Sequence, residues 1–177
     1  MKITVSKPTA CGTSEAPGYR ILRPLLVGEA NPYSRDPEMA LFPWPPGSAG
    51  GRLCRLLGWG QGHYLRAFDR VNLYTIPPRT WSAPAARQVA GWILAEREGD
   101  VVLLGARVVR AFLPDPIPFW TRCERFVALP HPSGRSREWH HREAVERLRE
   151  LLDPYFPAGE RATAAEARSR EAWQRGR

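Results

Sequence analysis

Three short stretches hold side chains whose types and spacing suit one kind of chemistry. "VGEANPYS", Val27 to Ser34, sets Glu29 and Asn31 two positions apart after an apolar run. "VNLYT", Val71 to Thr75, carries Asn72. "LPHPSGRSREWHH", Leu129 to His141, puts His131 after the apolar run Phe126–Leu129 and breaks the chain with Pro, Ser and Gly. A carboxylate or an amide can orient a water, and a neutral imidazole can donate to an oxygen gaining negative charge. A second amide can offer both donor and acceptor to the edge of a heterocycle. Together these are the parts for hydrolysing a bond whose leaving group departs as an anion. Preorganised donors aimed at such an anion usually supply the largest rate term.

Each candidate has a plainer reading beside it. His131 alone would cap a helix or close a strand end, but within His-Pro-Ser-Gly after a buried strand the donor role is favoured. Asn31 is the first choice to position water, through its carbonyl, because an amide cannot take a proton. Glu29 is its rival, and Asn31-Pro32 also suits a simple turn. Asn72 reads either as a base-edge contact or as a satisfied strand-end amide. One of Tyr33, Phe42 and Trp44 is expected to stack on a flat ring; otherwise the three form a hydrophobic lid. Ser133, Gly134 and the N–H groups of their turn suit a phosphate. Arg137, His140, His141 and Arg142 form a basic patch, or else a solvated helix start. His131, His140, His141 and Cys123 lack paired-ligand spacing, so no metal is expected. No GxxxxGK[ST] phosphate loop and no GxSxG elbow occurs.

These groups need a scaffold that brings strand ends together. Ile21–Val27 reads as a first core strand ending at Gly28, and Phe68–Pro78 begins as a second. Asp100–Gly105 and "RFVALP" read as the third and fourth. Ala49–Gly58 has Leu53, Leu56 and Leu57 at helical spacing and stops on Gly. Pro84–Glu98 reads as a helix with Val89, Trp92 and Ile93 on one face and Ser82 as its cap. A helix turn follows Gly105. Glu138–Leu152 reads as a helix with His141, Val145, Leu148 and Leu152 along one stripe. Strands alternating with helices imply a parallel sheet covered on both faces. The expectation is therefore an α/β protein, a three-layer α/β/α sandwich around a four-stranded, mainly parallel central sheet. Residues 1–20 would form an arm, 21–156 the domain and 157–177 a basic tail. The Pro- and Gly-rich loop Asn31–Gly51 is long enough to be functional.

The bulk composition narrows the partners. The chain has 177 residues, 43% of them hydrophobic, enough for one domain with a real core. Lys and Arg number 26 against 18 Asp and Glu, a formal +8, with a pI near 10.1. That balance favours an anionic partner, nucleic acid first. Cys11, Cys54 and Cys123 are an odd, scattered set with no CxxC, which reads as reduced thiols in a cytoplasmic protein. "MKITVSKPTACG" lacks the apolar core of a signal peptide, and no run approaches ~20 apolar residues. No membrane association is expected.

Taken in order, these motifs resemble the uracil-DNA glycosylase superfamily. "GEANPYS" is similar to that superfamily's water-activating loop (GQDPYH, GEAPG or GINPG in different branches), with one residue inserted after Gly28. "GSAGGRLCRLLG" is similar to the GRAGRLL helix of its iron–sulfur branch, and "VNLYT" to its LNAVLT strand. "HPSGRSR" is similar to its HPSPLS, HPSPRN or NPSGLNR motif. The resemblance spans roughly Leu25 to Arg142. It implies a DNA glycosylase that flips a pyrimidine out of DNA and hydrolyses its N-glycosidic bond, leaving an abasic site. It implies His131 as donor to the base O2, Asn31 or Glu29 as the water-positioning group, and Asn72 as reader of the flipped base. Arg135 falls where relatives carry a leucine wedge. Three cysteines cannot build a four-cysteine cluster, so no cofactor is expected, and no lysine near the motifs offers Schiff-base chemistry. The Pro/Gly-rich "PWPPGSAGG" leaves room at C5 of the ring. That favours a 5-modified pyrimidine, such as hydroxymethylated or glucosylated cytosine of phage DNA in a defence role, over uracil in base-excision repair. The reading of another class is a catalytically inactive, DNA-binding relative. A monomer is expected.

Overall fold

The computed structural model describes residues 23–134 and 136–155. The arm at 1–20, the tail at 157–177 and Arg135 lie outside the described residues. Within them, β1 (Leu25–Ala30), β2 (Asp69–Tyr74), β3 (Val101–Leu104) and β5 (Phe126–Leu129) run parallel, and β4 (Thr121–Cys123) runs antiparallel to β5. The order across the sheet is β2-β1-β3-β5-β4. The helices are α1 (Ala49–Leu57), α2 (Gln61–Ala67), α3 (Ala83–Ala95), α4 (Ala106–Phe112) and α5 (Arg142–Leu152).

Alternation along the strands feeds two cores, because successive side chains point to opposite faces. Leu26, Val102, Leu104, Val127 and Leu129 pack under Leu53 and Leu57 of α1, Tyr64 of α2, and Leu148 and Leu152 of α5. Leu25, Val27, Val101, Leu103 and Ala128 pack under Ala86 and Ala90 of α3 and Val108 and Phe112 of α4. The three-layer α/β/α arrangement follows.

Several expectations are corrected. The sheet has five strands, not four: β4 is three residues long with Arg122 and Cys123 exposed, too short to show a period. β1 does not stop at Gly28 but pairs through it, Gly28 against Asn72 and Ala30 against Tyr74, so Glu29 stands on the strand itself. The helix expected from Glu138 is broken. Arg137–His140 forms a 3-10 turn, His141 is extended (φ −84, ψ 135), and α5 begins only at Arg142. His141 is therefore exposed and off the stripe, where Ala144 replaces it beside Leu148 and Leu152. On α3, Trp92 is 61% exposed, and the helix sits on the small residues Ala86 and Ala90 instead. Helix α2 buries only Tyr64 and gives no stripe to read.

Caps and close approaches fix the segments around the sheet's carboxyl edge. The Ser82 and Ser48 hydroxyls accept from Ala85 and Gly51 N–H at the starts of α3 and α1. Gly58, at φ 73, ends α1 in the left-handed region that glycine tolerates. At Gly50 a Cβ would run into the Leu41 carbonyl, so the loop from Asn31 rides directly on the first turn of α1. The other edge of the sheet is clasped as well. The Tyr155 hydroxyl donates to Asp100 at 2.6 Å and accepts from Arg122 at 2.7 Å.

Candidate functional site

The carboxyl ends of β1 and β5 and the start of α1 enclose an open cleft of ≈ 520 Å³. Glu29, Tyr33, Ser48, His131, Ser133 and Gly134 line it. The position is the one where open α/β sheets bind ligands. The volume falls in the range of small-molecule sites.

His131 is held by its backbone. Its carbonyl accepts from Ser133 N–H at 2.8 Å and from the Trp139 indole N–H at 3.0 Å. Trp139 is buried edge-on against Trp120, which anchors this loop to the core. On the other side stands Gly105, at φ 100 and ψ 154, with its N–H bound to the Leu129 carbonyl. A Cβ there would lie 3.1 Å from His131 Cβ, so glycine is what lets β3 pass so close. Burial pushes the His131 pKa below the usual imidazole value, and the Glu29 charge opposes that shift without cancelling it. The imidazole is therefore neutral near pH 7 and can donate one N–H.

Glu29 accepts from Arg107 Nη1 at 2.8 Å. The Arg107 guanidinium also lies 5.3 Å over the Trp81 ring. Sequence reasoning passed over Arg107; its one signal was its place in the first turn of the helix that starts at a strand-ending glycine.

Asn31 is 9% exposed and engaged on both sides. Its Oδ1 accepts from Tyr33 N–H and its Nδ2 donates to the Met39 carbonyl, each at 2.9 Å. This is an Asx turn that ties the loop back on itself. Asn31, Phe42 and Trp44 line a separate space of ≈ 40 Å³ under that loop, which has room for water but not for a nucleobase. Phe42 carries the Arg70 guanidinium 5.5 Å from its ring, Trp44 is 58% exposed, and Tyr33 alone of the three borders the large cleft. Asn72 projects beside Gly28, where a Cβ would run into its Oδ1 and would also meet the Leu41 side chain. That oxygen is buried and has no hydrogen-bond partner among the described residues.

The proposed phosphate contacts are split. Ser133 and Gly134 border the cleft, and Arg137 and His140 are exposed on the 3-10 turn beyond it. Arg142 opens α5, but its side chain, like all of Arg135, lies outside the described residues. Among the described residues, no three His, Cys, Asp or Glu side chains are grouped to hold a metal ion. No helix among them is long and apolar enough to cross a membrane.

The fold and cleft define an α/β protein with an open cleft at the carboxyl edge of a mainly parallel sheet. Compared with known proteins, the chain matches no family model, no curated protein and no solved structure.

Proposed function

We propose that this protein is a monofunctional DNA glycosylase of the uracil-DNA glycosylase kind, hydrolysing the N-glycosidic bond of a flipped pyrimidine. The observation that carries the reading is the half-buried His131, its imidazole pKa pushed below the usual value by desolvation, sharing one cleft with the Glu29 carboxylate. As the bond to C1′ breaks, negative charge gathers on the base O2 and positive charge on the sugar. A neutral imidazole donates to the first without bringing a competing charge to the second. Glu29 faces the second, where its carboxylate stabilises the cationic sugar and orients the attacking water. Arg107 holds that carboxylate in place through its 2.8 Å ion pair.

This allocation prefers Glu29 over Asn31 for the water, because both polar ends of Asn31 are already bound within the loop. Asn31 then shapes the loop, and Tyr33 is the aromatic best placed to stack. Asn72 does not border the cleft, so it would read the base only after its surroundings rearrange. A cleft of ≈ 520 Å³ leaves room for a 5-modified pyrimidine, such as hydroxymethyl- or glucosyl-hydroxymethylcytosine, a substrate that would fit a defence role against phage DNA. Uracil is the alternative substrate. Neither lysine in the sequence, Lys2 or Lys7, falls in these motifs, which supports water rather than an amine as nucleophile.

The second reading, a glycosylase-like DNA-binding module without catalysis, is favoured by the bound state of Asn31. The test is abasic-site formation on duplexes carrying uracil, 5-hydroxymethyluracil, 5-hydroxymethylcytosine or its glucoside. Release of one of these bases supports the enzyme. DNA binding with no release from any of them would leave the module.

A further inference from the structure

Beside the cleft runs a second groove of ≈ 310 Å³, lined by Arg52, Arg55, Leu56, Trp139 and His140. Arg52 and Arg55 stand three apart on α1 and so share a face. His140 is exposed on the opposite wall. Leu56 and the buried Trp139 form an apolar floor. Among the described residues, no acidic side chain lines the groove. Arg55 donates to the Pro46 carbonyl at 3.2 Å, which leaves its remaining N–H groups to the groove.

Arg52 is also the wall between groove and cleft. Its Nη1 lies only 2.5 Å from where a Gly134 Cβ would be, so the guanidinium rests on the Pro-Ser-Gly turn because position 134 has no side chain. Ser133 and Gly134 line the cleft on the far side of the same turn.

We infer that this groove holds the sugar–phosphate backbone flanking the flipped nucleotide. Arg52 grips the phosphate at the junction, Arg55 and His140 take the next ones, and the apolar floor receives a deoxyribose face. The inference rests on the DNA glycosylase reading and extends it to Arg52 and Arg55, to which the sequence motifs gave no role. Arg52 is a positioning residue: it fixes the strand so that the base enters next to His131. A charged wall over an apolar floor suits a chain that alternates phosphate and sugar.

The test measures binding to an unmodified duplex oligonucleotide with no target base, at salt from 50 to 200 mM. Arg52→Ala and Arg55→Ala should each reduce the slope of log affinity against log salt by about 0.9 for every phosphate that is no longer neutralised. Over that fourfold range, each variant should therefore lose roughly 3- to 4-fold less affinity than the parent. Arg52→Lys should keep the slope but not the full turnover on duplex, because an ammonium cannot grip a phosphate bidentately. Gly134→Ala should swing Arg52 away and reproduce part of its loss, and should add little in the Arg52→Ala background. Arg87→Ala, an exposed change on α3 across the sheet, should lower the slope by less than either groove variant.

The groove is refuted if Arg52→Ala and Arg55→Ala leave the slope unchanged in a protein that still releases a base. It is equally refuted if the parent shows no salt-dependent DNA binding. Groove-dependent binding without release from any substrate supports the groove and removes the enzymatic reading.

Discussion

Replacing Gly105 by Ala tests how the sheet positions the candidate donor. At φ 100 and ψ 154, residue 105 sits in a region that side chains enter only at a cost of about 1–3 kcal/mol. The new Cβ would also meet His131 Cβ at 3.1 Å, a few tenths of an ångström too close. Relaxation is limited, because Gly105 N–H is bound to Leu129 and its carbonyl to Val109 N–H in α4. Crowding of this kind adds about 1 kcal/mol, the low end for overpacked sites. The sum is about 2–4 kcal/mol, and for a chain of this size it lowers Tm by roughly 5–15 °C. Circular dichroism during heating reads it directly. His131→Gly removes the opposing Cβ but leaves the dihedral strain. In that background Gly105→Ala should therefore cost about 1 kcal/mol less, a coupling within reach of a double-mutant cycle. A Tm drop below about 2 °C would refute the strain argument. An equal cost in both backgrounds would refute the claim that β3 and His131 press on each other.

Four further outcomes are expected. His131→Ala should cut base release by ~10²-fold or more while DNA binding changes far less, as measured by single-turnover assays beside equilibrium binding. Glu29→Gln should abolish or nearly abolish release with the fold intact. Asn31→Ala should instead destabilise by about 1–3 kcal/mol in urea unfolding, because it strips partners from Tyr33 N–H and the Met39 carbonyl. The reverse pattern would move the water-positioning role to Asn31. Stability should also depend on the charge of His131. Its folded pKa is depressed, so the unfolded chain binds the proton more tightly, and stability falls as pH drops below the ordinary value of about 6.5 toward the folded one. Denaturant midpoints from pH 8 to 5 should show a slope that flattens in His131→Asn.

The strands that feed both cores were readable because continuous apolar runs such as Val101–Leu104 and Phe126–Leu129 have one use in a chain of this size. Helix α1 was readable from its leucine spacing and its terminal Gly58. β4 was not, because its pairing is dictated by β5 and not by its own three residues. The start of α5 was hidden for a related reason. Trp139 leaves the helical path to bury its ring and bond the His131 carbonyl, and no local pattern announces that tertiary demand. The cleft was legible as a set of residue types, with Glu29, His131, Ser133 and Gly134 brought together. Its divisions were not. That Asn31 faces inward to Met39, that Phe42 pairs with Arg70, and that Arg107 reaches Glu29 are tertiary pairings that no local pattern encodes.

The order of the strands also bears on how the protein is made. β5 lies between β3 and β4, so neither can complete its pairing until the chain has been synthesised past Leu129. Until then β3, with the sequence VVLL, presents an open apolar edge, the kind that templates aggregation. α5 arrives later still, and the buried face under Leu148 and Leu152 waits uncovered. At ~5–20 residues per second, the roughly thirty residues from Phe126 to Tyr155 take about 2–6 s to emerge. For that interval the nascent domain carries its most adhesive surface bare. A chain halted with β3 out of the ribosome and β5 still inside would be more prone to clump than one halted after residue 155 has emerged.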